Sequence, residues 1–485
     1  MFLNKLIDLP PIQRWRTYRE IQKHRAANRF QAKEVINTSE TLDLPESEKP
    51  RLAGIWVVEL YPPSHTSKLR DSIKSIGWDE DTIGKKKLAQ WLDDTRYGRS
   101  AGWINLGPVT NPQNISDFSL RSATLPDNTN CAYPYLVSIT PSLTALITLF
   151  ILNESDSEDI SLTIRREYQK KQTEVVKKNT VTMLRYLLLG NAKFFARKTR
   201  YPNQIREETV KQVIARHTET CVSWISERFP GVFSSSSKTG DFPTACLVLT
   251  EEITPFTEQA RKILKLRGLR LSEPFGGWQV AEHPSLNFYT PSSFDSEGKR
   301  LTFSGKRSEV LDDSDSQQQT CNHSIATSLQ GEILPIISEW ATSALLDKYC
   351  EDLSGMRDDA ANIGKFNPLQ DLRRLRALSH TTLYDISMCV KELPERSDFA
   401  SGFDPVTAKS IKNELHKERD FKLEARKFQR ERSDQLKHQT ETLTQVLSQT
   451  GHISQTISNL RTQRLVVLLT SISILVSALA LLITS

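Results

Sequence analysis

Cysteine is scarce in this 485-residue chain, and its six copies, Cys131, Cys221, Cys246, Cys321, Cys350 and Cys389, lie at wide and irregular intervals. Dense cysteine marks a secreted disulfide scaffold and close pairs mark a zinc site, so both classes are excluded and reduced thiols in a cytoplasmic setting are expected. The first residues, MFLNKLIDLPPIQRWRTYREIQKHR, lack an apolar run long enough for a signal peptide, because Pro10, Pro11 and Arg14 interrupt it. Also missing are Gly-x-Ser-x-Gly and His-Glu-x-x-His, the local patterns of a serine hydrolase and a zinc protease. Catalysis is neither indicated nor excluded by these gaps.

Charge is missing from one long stretch as well. Leu465 to Ile483 reads LVVLLTSISILVSALALLI, nineteen residues without an ionisable group. At about 1.5 Å per residue such a helix is roughly 28 Å long, close to the hydrocarbon thickness of a bilayer. A single C-terminal transmembrane helix is expected, with Arg461 and Arg464 before it holding the N-terminal bulk in the cytoplasm and insertion in a tail-anchored manner. A second apolar stretch, Tyr135 to Leu152, is divided by Pro141 and Ser142 and is rich in Thr, Ile, Val and Phe. It reads as two buried strands of a hairpin, with a second span as the alternative.

What the chain does contain is an ordinary globular composition. Hydrophobic residues make up 38% and charged residues 25%, with eight Trp and nineteen Phe as large buriable groups, so disorder of the whole is excluded. Residues 1–50 form a basic helical N-terminus and an acidic linker, and 51–155 an α+β domain opened by the strand LAGIWVVELYPP. Residues 156–310 hold a basic helical segment and a second α+β region, in which Val210, Val213, Ile214, Cys221, Trp224 and Ile225 recur at helical spacing. A polar linker at 311–324 leads to a helical region at 325–404. A stalk helix is expected over 405–464, followed by the membrane helix at 465–483. The fold class expected is therefore α+β: a cytoplasmic mixed α/β region, a helical region, a long coiled-coil-like stalk and one C-terminal transmembrane helix.

The stalk carries a heptad seam. Leu436, Leu443, Thr450 and Ile457 are seven apart, and Val446, Ile453 and Leu460 interleave with them. That spacing buries one stripe against a partner helix, in a homo-oligomer or on the protein's own domain. Thr470, Ser473, Ser477 and Ala480 add a small-residue stripe that lets helices approach closely. Charge is concentrated at Arg165 to Arg200, where eleven Lys or Arg stand against Glu167 and Glu174. Arg165, Arg166, Lys170, Lys171, Lys177, Lys178, Lys193, Arg197, Lys198 and Arg200 are the candidates for holding an anionic lipid surface. A solvated helical face is the plainer reading of the same residues, and a nucleic-acid backbone a less favoured partner.

Three smaller constellations invite chemistry. GVFSSSSKTG at 231–240 resembles a phosphate-binding loop but has Ser236 and Ser237 where glycine and lysine belong, so no nucleotide is expected there. His217 with Cys221, and Cys321 with His323, each offer one edge of a zinc site without the remaining ligands. His380 and Asp385 share a late helix without a patterned serine. No cofactor or metal is expected from these. In outline the chain resembles the CorA-like magnesium transporters, but it has neither their Gly-Met-Asn loop nor a second span, so no pore or ion site follows. The expected function is an oligomeric scaffold, sensor or regulator at a membrane. The alternatives are a membrane-tethered enzyme with its site in residues 51–310 and a basic module that recruits nucleic acid.

Overall fold

The computed structural model describes residues 45–79, 82–83, 86–99, 102–114, 121–166, 172–175, 197–200, 202–235, 242–257, 260, 276–291, 300–310, 321–361, 379–396, 402–403, 406–411 and 418–484. Eleven strands form one sheet: β1 (Arg51–Tyr61), β2 (Trp103–Asn105), β3 (Val109–Thr110), β4 (Arg121–Ser122), β5 (Thr129–Thr140), β6 (Leu143–Leu152), β7 (Thr244–Thr250), β8 (Gly277–Val280), β9 (Asn287–Tyr289), β10 (Arg300–Lys306) and β11 (Ala408–Ser410). Their order is β11-β8-β9-β10-β7-β1-β6-β5-β3-β4, with β2 also on β5. The β7–β10 and β3–β4 pairs are parallel and the others antiparallel. Strands from 51–155 and from 156–310 thus hydrogen-bond side by side, with β1 at the centre.

β1 is buried on both faces, which is why its sequence is apolar nearly throughout rather than alternating. The two sides of the strand still meet different partners, as its period of two requires. Trp56 donates from Nε1 to Gln330 Oε1 at 3.3 Å, facing helices α5 (Asn322–Ser328) and α6 (Gln330–Ala361). Tyr61 donates to the Phe229 carbonyl at 2.7 Å on the other side, beneath α3 (Glu154–Arg165) and α4 (Pro202–Arg228), which follow α1 (Thr66–Ser75) and α2 (Leu88–Arg96) in the chain. At Gly54, beside a bulge, a Cβ would stand 2.8 Å from Leu149 Cδ1, so a larger residue there requires that side chain to shift. β5 and β6 form the hairpin expected from Pro141 and Ser142. Its turn is fastened by Glu392, which accepts from Ser142 N at 2.9 Å and Ser142 Oγ at 2.6 Å.

A chain of rings runs from the sheet centre to its far end. Trp56 meets Phe303 at 6.2 Å, Phe303 meets Phe288 at 5.3 Å, and Phe288 and Trp278 both meet Phe421 edge-on at 5.2 and 5.4 Å. Phe421 is the first residue of α8 (Phe421–Thr484), so these contacts fix the root of that helix. The helix expected from residue 405 therefore starts later, because Ala408–Ser410 is extended and pairs with Trp278–Val280 as the sheet's edge strand.

Two expectations are overturned. No helix among the described residues is long and apolar enough to cross a membrane, which removes the transmembrane, single-pass and tail-anchored assignment together with the membrane localisation and cytoplasmic orientation. Within Leu465 to Ile483 the side chains are described only through Ile474, and ten residues rise about 15 Å against the roughly 30 Å of a hydrocarbon core. Arg464 is exposed, and the Arg461 side chain lies outside the described residues.

The long coiled-coil-like stalk is not shown either. The proximal part of α8 lies along α6 and the shorter α7 (Tyr384–Glu392). Gln429, Ser433, Leu436 and Leu443, spaced at three, four or seven, are buried there, and Val446 is partly exposed at the edge of the contact. The heptad stripe is covered by the protein's own domain. Glu339 of α6 secures it, pairing with Arg396 and with Arg426 Nε at 3.2 Å and accepting from Gln429 Nε2 at 3.0 Å. The remaining seam side chains, Ile453, Ile457 and Leu460, lie outside the described residues.

Candidate functional site

The sheet has a cleft where the start of β1, the end of β6 and the end of β10 meet the first turn of α5. Its volume is about 550 Å³, and Arg51, Cys131, Tyr133, Glu154, Arg307, Cys321 and His323 are among the residues lining it. Cys131 and Tyr133 sit two apart on β5 and so project to the same side of the strand. Cys321 precedes α5 in extended conformation, and Asn322 ties that turn to α3 by donating to Ser157 Oγ at 2.8 Å.

The polar groups of the cleft are individually placed. His323 Nε2 shares a short hydrogen bond with the Tyr133 hydroxyl, with the rings tilted at a centroid distance of 5.4 Å. Burial lowers the His323 pKa, which keeps the imidazole neutral at pH 7. Tyr133 is pushed up to about 12 by burial, with smaller contributions from Cys131 and Cys321. Cys321 is exposed, and its Sγ lies 3.1 Å from Ser324 Oγ. Partial burial raises its pKa, but the Ser324 hydroxyl and the amides of Ser324 and His323 outweigh that, and the thiol sits below its ordinary value. Cys131 is buried and pushed up to about 12, first by burial and then by Cys321. The guanidinium groups are engaged with carboxylates: Arg51 with Glu158 at 2.8 Å and Glu154 at 3.4 Å, and Arg307 with Glu251 at 3.1 Å.

The other sequence candidates fall elsewhere. His217 and Cys221 do share α4, yet both ring nitrogens of His217 face other groups, Nδ1 to Asn128 Nδ2 at 3.0 Å and Nε2 to Asp159 Oδ2 at 3.1 Å. Asp156, Asp159 and His217 bring ligand atoms within 4.8 Å of one another. Arg216 also lies 2.6 Å from Asp159 Oδ2, so the group joins α3, α4 and the start of β5 as a polar tether. Cys221 is buried and pushed up to about 12 by that burial. Cys321 and His323 turn to Ser324 and Tyr133, and among the described residues no further ligand joins them.

The phosphate-loop resemblance at 231–240 has a physical counterpart in its described part. The Glu59 carboxylate occupies the turn, accepting from Phe233 N and Ser234 N at 2.8 Å each, from Leu60 N at 3.0 Å and from Ser234 Oγ. An internal anion fills the place a phosphate would take. Asp385 accepts from Ser64 N at 3.0 Å and from Ser64 Oγ, while His65 Nδ1 is 2.7 Å from the same hydroxyl. The serine thus stands between imidazole and carboxylate, and a relay in which histidine bridges the two is not formed. The side chain of His380 lies outside the described residues.

In the basic stretch, Arg165 donates from Nη2 to the carbonyls of Pro45, Glu46 and Glu48 at 2.7–2.8 Å, and Arg166 follows α3 at the surface. Arg197, Lys198 and Arg200 lie on a short strand paired with Gln172–Val175, their side chains outside the described residues. Lys170, Lys171, Lys177, Lys178 and Lys193 are outside them altogether. No protein-family model matches the chain, and no curated protein or solved structure matches it significantly.

Proposed function

We propose that the protein is a self-assembling scaffold or regulator whose copies associate through the distal part of α8. One observation carries this reading. Leu465, Val466, Val467, Leu468, Leu469, Ile472 and Ile474 are each between 50 and 65% exposed. Five of them are consecutive, so at 3.6 residues per turn the apolar surface runs around the whole helix, and no other part of the described chain covers it. The hydroxyls of Thr470 and Ser471 bond back to the carbonyls of Val466 and Val467 at 2.8 Å each, which hides their polarity within the helix.

The area is adequate for a stable contact. At about 100 Å² each these side chains expose roughly 700 Å² per copy, near the roughly 800 Å² per partner of a standard interface. Burial of that surface on both partners of a pair, roughly 1,400 Å², contributes at most about 35 kcal/mol at ~25 cal/mol per Å². Association opposes it with a cost on the order of 4–15 kcal/mol, so a net attraction remains. Assembly would present several sheet domains, each with its cleft, from one helical bundle.

Sedimentation of the full chain in detergent-free buffer tests this. The wild type should run as an oligomer and the Leu468→Lys/Ile472→Lys variant as a folded monomer. A monomeric wild type, or one whose apolar helix is covered only when lipid vesicles are added, refutes the reading.

A further inference from the structure

The cleft holds chemistry that assembly does not use. Cys321 is exposed at its rim, Cys350 is half-buried elsewhere, and the other four cysteines are buried. A second thiol, Cys131, lines the same cleft from β5. We propose that Cys321 and Cys131 form a peroxide-reactive thiol pair, Cys321 being the attacking sulfur and Cys131 the resolving one. An accessible sulfur with the Ser324 hydroxyl at 3.1 Å and a second thiol in the same cleft are the arrangement such chemistry needs.

The reaction balances with hydrogen peroxide as the oxidant. The Cys321 thiolate attacks one peroxide oxygen, the O–O bond breaks, and hydroxide leaves to take a proton from solvent. Cys321 is then a sulfenic acid. The Cys131 sulfur attacks it, the S–S bond forms, the S–O bond breaks, and the departing hydroxide leaves as water with the proton of the Cys131 thiol. Two thiols supply two electrons and one peroxide becomes two waters. The asymmetry of the pair sets the order of events. Ser324 and the amides at the start of α5 stabilise negative charge on Cys321, whereas burial keeps Cys131 protonated until the sulfenic acid is beside it. The bond requires Cα atoms about 4.4–6.8 Å apart, so it would fasten the residue before α5 to β5.

The test is mass spectrometry of the full-length wild type after one equivalent of hydrogen peroxide. A disulfide joining the peptides of Cys131 and Cys321 is expected. Cys131→Ser should instead accumulate a sulfenic acid at Cys321 that dimedone traps, and Cys321→Ser should leave Cys131 unmodified. Ser324→Ala, at a half-exposed position, should slow alkylation of Cys321 by iodoacetamide several-fold near neutral pH. A wild type that stops at a persistent Cys321 sulfenic acid, or that forms its disulfide between other cysteines, overturns the proposal. So does a Cys321 that iodoacetamide modifies no faster than Cys350.

Discussion

Substituting Glu59→Gln removes a titratable group from the centre of the fold while nearly preserving its shape. Glu59 is fully buried, and burial raises its pKa from the ordinary 4.5 to about 6 despite four hydrogen bonds that favour the ionised form. Between those two values the folded chain holds a proton that the unfolded chain has released. Stability therefore falls as pH rises through that window and is level on either side of it. The difference corresponds to about 2 kcal/mol, at 1.36 kcal/mol per pH unit. The glutamine variant has nothing to titrate and escapes this loss. It carries a separate cost, because its amide nitrogen faces the Ser234 N–H that Oε2 now accepts, and leaving that donor unpaired costs on the order of 1–3 kcal/mol at every pH. Urea midpoints followed by tryptophan fluorescence should place the variant below the wild type by about 1–3 kcal/mol near pH 4, with the gap shrinking by about 2 kcal/mol towards pH 7. A gap that stays constant or widens with pH would show that the donors, rather than burial, dominate at Glu59, and would refute the reasoning.

Other perturbations read the helical half of the molecule. Leu436→Ala opens a cavity between α8 and α6 and should lower stability by about 2–5 kcal/mol in urea titration. An effect below 1 kcal/mol would mean that the heptad stripe is not packed on α6. Glu339→Ala leaves the Arg396 and Arg426 side chains without their shared carboxylate and should cost about 3–5 kcal/mol. Hydrogen exchange should then rise first in the amides of α8 that follow Phe421, and unchanged protection there would count against the pairing as the clasp of that helix.

Local patterns were legible where a segment's own periodicity decides its state. Pro141 and Ser142 between two β-branched, apolar runs identify the β5–β6 hairpin, and three-and-four spacing from Val210 to Ile225 identifies α4. Periodicity reports that a stripe is buried but not what buries it. The seam at Leu436 and Leu443 could equally be covered by a second copy, and only the positions of Glu339 and Ser343 on α6 show that it is covered within the chain. Charge-free length read as a bilayer span fails for a different reason, since the apolar side chains described from Leu465 to Ile474 cover only about 15 Å of helix, and no described helix is long and apolar enough to cross a membrane. Strand β11 is illegible because its state is set by pairing with Trp278–Val280, more than a hundred residues away. The cleft is hidden the same way. Cys321 and His323 are two apart in sequence, while Cys131 and Tyr133 join them only through the fold, which brings β5 to the start of α5.

Phe421, seated edge-on against both Trp278 and Phe288, makes α8 a lever with a stiff fulcrum. A pull or twist applied near Ile474 first meets the packing of Leu443 and Leu436 and the Glu339 pairs on α6, and only what passes them reaches the rings and, through Phe303 and Trp56, the middle of the sheet. Copies joined at the distal end of α8 would therefore load the α6 contact before they load β1, the strand on which Arg51 opens the cleft.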